Sequence, residues 1–199
     1  MSKLIIIIKI GNCLSESFRK EDISMKNIEE YIRSIPDFPE KGIIFRDITS
    51  VLEDGESLKL SVDLMQDKIK EIDFDVVVGP ESRGFIFGMP IAYNLGKPFA
   101  PVRKKGKLPC ETVSVEYDLE YGSAVIEMHK TAIKPGQRVV IVDDLMATGG
   151  TLEAIVKLVE QLGGKVVGAV FLIELAGLKG RERLKNIPNV ESVICYEGK

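Results

Sequence analysis

The hydrophobic and polar positions of the chain switch repeatedly between two spacings. Phe74 to Gly79 (FDVVVG) and Gln137 to Val142 (QRVVIV) are near-continuous apolar runs, closed by Gly79-Pro80 and by Asp143-Asp144. Runs of this kind mark strands buried on both faces of a parallel sheet. Helical spacing lies between them. Leu58, Val62, Met65, Ile69 and Ile72 recur at alternating intervals of four and three behind Ser57, which the pattern makes the N-cap of an amphipathic helix. Further helices are predicted over 28–34, 84–95 and 152–162, with a charged one from Leu178 to Lys185. Further strands are predicted over Ile43 to Phe45, Pro98 to Val102, Lys165 to Ile173 and Val190 to Tyr196. Strand, helix and strand in succession describe an α/β fold whose open, mainly parallel, twisted sheet is flanked by helices.

Two stretches break this rhythm. Asp37 to Gly42 (DFPEKG) is a loop punctuated by Pro and Gly. Arg103 to His129 opens with Arg103, Lys104, Lys105 and Lys107 around Gly106 and continues with scattered acids. A connection that long inside one domain usually serves a site, so it is expected to be a flexible lid loop and hairpin.

The chain has 199 residues, 45% hydrophobic and 29% charged, which describes one globular core. A net charge of -3 lacks the basic field of a nucleic-acid-coating protein, so any anion site must be local and no nucleic-acid partner is expected. Three widely spaced cysteines without a CxxC argue against a disulfide framework or structural zinc and fit a reducing, cytoplasmic setting. The apolar run Leu4 to Ile8 ends at Lys9, too short to span a membrane or to act as an export signal. Residues 1–24 read as a flexible N-terminal extension, and 25–199 as a single domain.

The chemistry concentrates in Val139 to Thr151 (VVIVDDLMATGGT). In an open α/β sheet ligands bind beyond the carboxyl ends of the strands, where this segment places two carboxylates and then a small-residue loop that opens a helix. Gly149 and Gly150 let the backbone approach a phosphate, Thr148 and Thr151 add hydroxyls, and free N–H groups at the helix start favour an anion. Asp143 and Asp144 would repel that anion unless they hold hydroxyls or a divalent cation through water. A sugar phosphate with a free diol satisfies both halves of the segment.

Other chemistries fit less well. Pro80 to Gly84 (PESRG) resembles a nucleophile elbow but has Pro where Gly is needed, and the sole histidine, His129, sits at a predicted strand end. No GxGxxG or GxxxxGK[ST] occurs.

Val139 to Thr151 resembles the phosphoribosyl-pyrophosphate motif of the type I phosphoribosyltransferases. Asp37-Phe38-Pro39 with Gly42 to Thr49 (GIIFRDIT), Gly79 to Gly88 (GPESRGFIFG), Arg103 to Pro109 (RKKGKLP), Leu119 to Gly122 (LEYG) and Leu178 to Arg183 (LKGRER) narrow the resemblance to the adenine phosphoribosyltransferase family, over about Met25 to Glu197.

The resemblance implies a sheet domain with a small hood and a lid. It implies the reaction of adenine with phosphoribosyl pyrophosphate to give AMP and pyrophosphate, with Mg²⁺, in a cytoplasmic homodimer. On that reading Asp143 and Asp144 hold the ribose hydroxyls and, indirectly, the metal, while Ala147, Thr148, Gly149, Gly150 and Thr151 surround the 5-phosphate. Arg83, Arg103, Lys104 and Lys107 meet the pyrophosphate. Glu120 and Tyr121 close over the reacting bonds, with Arg83 beside them, and Ile44, Phe45 and Arg46 receive adenine, Phe45 as a stacking platform. The rivals are a regulator that senses phosphoribosyl pyrophosphate without turning it over, and a transferase for another purine base.

Overall fold

The computed structural model describes residues 27–118 and 123–198. The N-terminal extension and the pair Glu120 and Tyr121 lie outside the described residues. In chain order the strands are β1 (Arg33–Pro36), β2 (Ile44–Asp47), β3 (Val76–Pro80), β4 (Phe99–Lys104), β5 (Thr112–Asp118), β6 (Ser123–His129), β7 (Arg138–Met146), β8 (Lys165–Leu175) and β9 (Val190–Tyr196). The α-helices are α1 (Thr49–Leu52), α2 (Gly55–Ile69), α3 (Arg83–Asn94) and α4 (Gly150–Gln161).

Seven strands form the main sheet in the order β5-β6-β4-β3-β7-β8-β9. The run from β4 to β9 is parallel, and β6 and β5 extend the β4 edge antiparallel. The β3 and β7 runs follow the predicted two-sided burial. Val76, Val78, Val139 and Ile141 point into a core beneath α4, while Val77, Val140 and Val142 point into a second core beneath α2 and α3. The period of two along a strand distributes one apolar run between both layers. The chain leaves β3 through α3 toward β4 and leaves β7 through α4 toward β8, so the winding reverses between β3 and β7. Ligands enter open α/β sheets at such a reversal.

Several elements differ from the sequence pattern. The helix expected over 28–34 is a single 3-10 turn, Ile28–Tyr31, followed by β1. Residues up to Pro36 pair antiparallel with β2, Ile35 opposite Phe45, and this two-stranded unit is the hood. Asp54, not Ser57, caps α2. Its carboxylate accepts from the Ser57 N–H at 2.8 Å, and the Ser57 hydroxyl is buried on the Val51 carbonyl oxygen at 2.7 Å. The charged helix over 178–185 resolves into two 3-10 turns, Ala176–Leu178 and Gly180–Leu184, interrupted at Lys179 with φ 55°. Strand β7 runs through Asp143-Asp144 to Met146, because β8 continues to pair with it, Asp143 opposite Phe171 and Met146 opposite Glu174.

Within 103–129 the described residues, 103–118 and 123–129, are mostly strand. Arg103 and Lys104 belong to β4, and 112–118 pairs with 123–129 as a regular hairpin. Buried Glu127 accepts from the backbone N–H groups of Leu108 at 3.0 Å and Lys107 at 3.1 Å, which ties the basic turn to the sheet. Those hydrogen bonds, Leu108 first, hold its carboxyl below the usual range against the effect of burial.

Candidate active site

The site is assembled at the carboxyl ends of β3 and β7. After β3 the chain passes through Glu81 and Ser82, joined by a cis peptide, into α3. Gly84 makes the close approach possible: a side-chain carbon there would stand 2.5 Å from Pro80 Cδ, 2.9 Å from the Val142 oxygen and 3.1 Å from Asp143 Oδ1. Only a residue without Cβ lets the first turn of α3 lie against the end of β7. That contact carries Arg83 to Asp144, with Nε 3.0 Å from Oδ2. The geometry is an ion contact without hydrogen-bond alignment, so the buried Asp144 Oδ2 accepts no hydrogen bond.

Asp144 is 2% exposed, whereas Asp143 keeps an edge toward solvent and its Oδ1 accepts from the Asp144 N–H at 2.9 Å. Burial pushes the Asp143 carboxyl well above the carboxylate range and the charge on Asp144 pushes it further. Burial raises Asp144 as well, against the pull of the Arg83 guanidinium. Such a pair lowers the stability of the folded chain wherever both carboxyls are ionised. The native state holds the Asp143 proton above the ordinary value of 3.8, so this contribution to stability falls as pH rises through that window. Asp143→Asn is therefore expected to raise the thermal midpoint at pH 7, by roughly 2–4 °C for each 1 kcal/mol relieved. The gain should vanish as the pH approaches 3.8; a lowered midpoint at pH 7 would make the carboxylate a stabilising group.

Beyond Met146 the chain turns through Ala147, Thr148 and Gly149 into α4. Gly149 has φ +79°, a left-handed conformation that costs other residues roughly 1–2 kcal/mol. No side chain caps α4, and Glu153 in its first turn is engaged outward by Lys157 at 2.9 Å and Arg183 at 3.2 Å. The N–H groups at the start of α4 are thus left to an outside anion, helped by the positive end of the helix dipole. Arg83, residues 145–152 and Phe171 bound a cavity of about 190 Å³ over this turn. A larger apolar cavity of about 680 Å³ between α2 and α3 has none of these groups.

The hood reaches the same end of the sheet. The Arg46 guanidinium lies 3.7 Å from the centroid of the Tyr196 ring at the end of β9 and donates to the Ser34 hydroxyl. Its Nε is buried without a partner. Phe45 meets Phe38 edge to face at 5.3 Å, and Ile44 is 41% exposed. Bonds from the Thr49 hydroxyl and N–H hold the Asp47 carboxyl below its usual range, and the charge of Arg83 contributes to the same shift. Arg83 is thus within electrostatic reach of Asp47 in the hood and in contact with Asp144.

The expected pyrophosphate cations are not gathered equally. Arg103 Nε pairs with Glu81 Oε2 at 2.7 Å, which brings Arg103 to the end of β3. Lys104 is the next residue of the same strand, so alternation sends it to the opposite face. Lys107 is exposed on the tethered turn.

Two contributors carry little signal in the sequence. Glu81 is visible there only as part of a false nucleophile elbow. Tyr117 places its hydroxyl 3.4 Å from Thr151 Oγ1, and the apolar alternation Val113, Val115, Tyr117 along β5 is its available signal.

The two carboxylates suit Mg²⁺, which keeps several waters and takes few protein ligands. Buried Asp144 Oδ2 has acceptor capacity to spare, and among the described residues no group of three or more His, Cys, Asp or Glu forms a protein-only cage. Among the described residues, no helix is long and apolar enough to cross a membrane.

Residues 47–194 match the phosphoribosyl transferase domain family. The chain is 71% identical over 175 residues to the adenine phosphoribosyltransferase of Lachnoclostridium phytofermentans, covering 88% of this chain and 100% of that one. It superposes on the crystal structure of adenine phosphoribosyltransferase from Thermoanaerobacter pseudethanolicus with a TM-score of 0.81 at 53% identity, over 85% of this chain and 98% of that one. The Trypanosoma brucei adenine phosphoribosyltransferase, solved with AMP, pyrophosphate and ribose-5-phosphate, gives a TM-score of 0.77 at 26% identity over 89% and 81% of the two chains. An Asp pair and an uncapped glycine turn at the reversal of the sheet, a hood above them and these likenesses lead to one family: the chain belongs to the adenine phosphoribosyltransferases of the phosphoribosyl transferase domain family.

Proposed function

We infer that this chain transfers the phosphoribosyl group of phosphoribosyl pyrophosphate to adenine, giving AMP and pyrophosphate in purine salvage, and that the reacting carbon lies over the ends of β3 and β7. The observation that carries the reading is the uncapped start of α4 a few residues after an aspartate pair, half-buried Asp143 and buried Asp144. The 5-phosphate sits on the turn Ala147 to Thr151, where free N–H groups and the Thr148 and Thr151 hydroxyls meet it. Asp143 and Asp144 accept from the ribose diol and fix the sugar's orientation. Mg²⁺ would neutralise charge on the pyrophosphate oxygens, held by the same two carboxylates through water and ribose hydroxyls.

Displacement breaks the bond from the anomeric carbon to pyrophosphate, which leaves with the electron pair, while a purine nitrogen forms the new bond to that carbon. Positive charge develops on the sugar and negative charge on the leaving group. Arg83 and Arg103 face the departing charge, with Lys104 and Lys107 adding to the local positive field. Glu120, together with Tyr121, balances the positive charge on the sugar, and Glu120 handles the proton on the purine nitrogen opposite the attacking one. Adenine stacks on Phe45, its amino group donating to a backbone carbonyl near Ile44; guanine and hypoxanthine offer a carbonyl there and are rejected. Arg46 holds the hood in place through Tyr196.

The working form is a homodimer, for which the exposed Met89 and Tyr93 on α3 provide apolar surface. The reaction belongs in the cytoplasm, in keeping with Cys110 and Cys195, which are free and exposed. Turnover of adenine, hypoxanthine, guanine and xanthine with phosphoribosyl pyrophosphate and Mg²⁺, read as nucleotide formed, tests the whole reading. Adenine alone should give rapid product. Product from another base would reassign the hood, and no product from any base would point to a sensor of phosphoribosyl pyrophosphate.

A further inference from the structure

The stretch Leu178 to Arg183 takes no part in the chemistry above, yet it stands directly behind the turn that meets the phosphate. A side-chain carbon on Gly180 would lie 2.3 Å from the Ala147 carbonyl oxygen and 3.2 Å from the Gly149 nitrogen, and one on Gly149 would lie 2.7 Å from the Gly180 oxygen. The two backbones are in direct contact, so the position of one sets the position of the other. Regular secondary structure does not hold the rear backbone, since it consists of two 3-10 turns broken at Lys179.

Arg181 holds it instead. Its Nε and Nη2 donate to the two oxygens of Glu174, each at 2.7 Å, and its Nη1 donates to the Val190 carbonyl. Glu174 is 5% exposed, accepts also from the Ser192 hydroxyl at 2.7 Å, and sits on β8 opposite Met146, the last residue of β7 before the turn. A bidentate guanidinium–carboxylate pair fixes direction as well as distance, and removing one partner leaves a buried charge behind. On the other side Arg183 reaches Glu153 in the first turn of α4 at 3.2 Å, so the segment is fastened on both flanks of the phosphate turn.

We propose that the Arg181–Glu174 pair positions the 5-phosphate turn, by clamping Gly180 against Ala147 and Gly149. Arg181 is a positioning residue and touches no substrate. This rests on the reading that the Ala147 to Thr151 turn receives the 5-phosphate. If so, loosening the clamp weakens ligands in proportion to their use of the phosphate.

The test is calorimetric binding of AMP and adenosine to the full chain, comparing wild type with Arg181→Met, Arg181→Lys and Gly150→Trp. A displaced binding element costs roughly 10-fold to 10²-fold. Arg181→Met should weaken AMP by that amount and leave adenosine nearly unchanged, and Arg181→Lys, which keeps the charge but not the fork, should fall between. Gly150→Trp fills the turn itself and should reduce AMP to the affinity of adenosine. If Gly150→Trp leaves AMP binding intact, the phosphate assignment fails. If Gly150→Trp behaves as expected but Arg181→Met weakens AMP and adenosine equally, or neither, the clamp alone is overturned. Should Arg181→Met not fold, Glu174→Gln removes the charge while keeping the shape, and the same selective loss of AMP must appear.

Discussion

Replacing Asp143 and Asp144 together by Asn is expected to lower kcat/KM for phosphoribosyl pyrophosphate by at least about 10³-fold while the chain stays folded. The change is close to isosteric. An amide oxygen at position 143 can still accept from the backbone N–H of residue 144, a bond of 2.9 Å in the native chain, and the buried strand around it is untouched. What disappears is the pair of carboxyl acceptors proposed above to orient the ribose diol, and the partner that draws Arg83 to 3.0 Å from Asp144. Steady-state kinetics with both substrates varied, together with a thermal melt, separates loss of chemistry from loss of fold. Normal turnover in a folded double variant would remove the diol-holding role from these aspartates.

Glu120→Ala is expected to lower kcat by about 10²–10³-fold with little change in either KM, the mark of an interaction made mainly in the transition state. Glu120 lies outside the described residues; β5 and β6 precede and follow it in the chain. β5 and β6 pair up to Asp118 opposite Ser123, and Tyr117 sets its hydroxyl 3.4 Å from Thr151 Oγ1. Tyr117 thus brings the described end of β5 beside the turn Ala147 to Thr151. Rapid-quench measurement of the chemical step against substrate affinity decides the matter: a loss confined to KM would make Glu120 a binding residue.

Much of this arrangement is legible along the chain. The runs Val76–Gly79 and Val139–Val142 are apolar at every position because both faces of β3 and β7 are covered, and burial on both faces is a local property of a segment. The turn Ala147 to Thr151 is equally local, since its glycines, hydroxyls and following helix are consecutive residues. The hairpin 112–129 is harder to see because its charges, among them buried Glu127, obscure the alternation that puts Val113, Val115 and Tyr117 on one face.

What composition and spacing determined by themselves is the α/β order, the two buried central strands and the glycine turn that opens α4, because each depends on neighbours no more than a few residues apart. Only the tertiary structure decided that Arg83 meets Asp144, that Arg103 rather than Lys104 joins Glu81, and that Arg181 pairs with Glu174. Those pairings join residues from different strands and connections, and their partners are set by the winding of the sheet and the side on which each strand presents a side chain. Neither property is written in any single stretch of the chain.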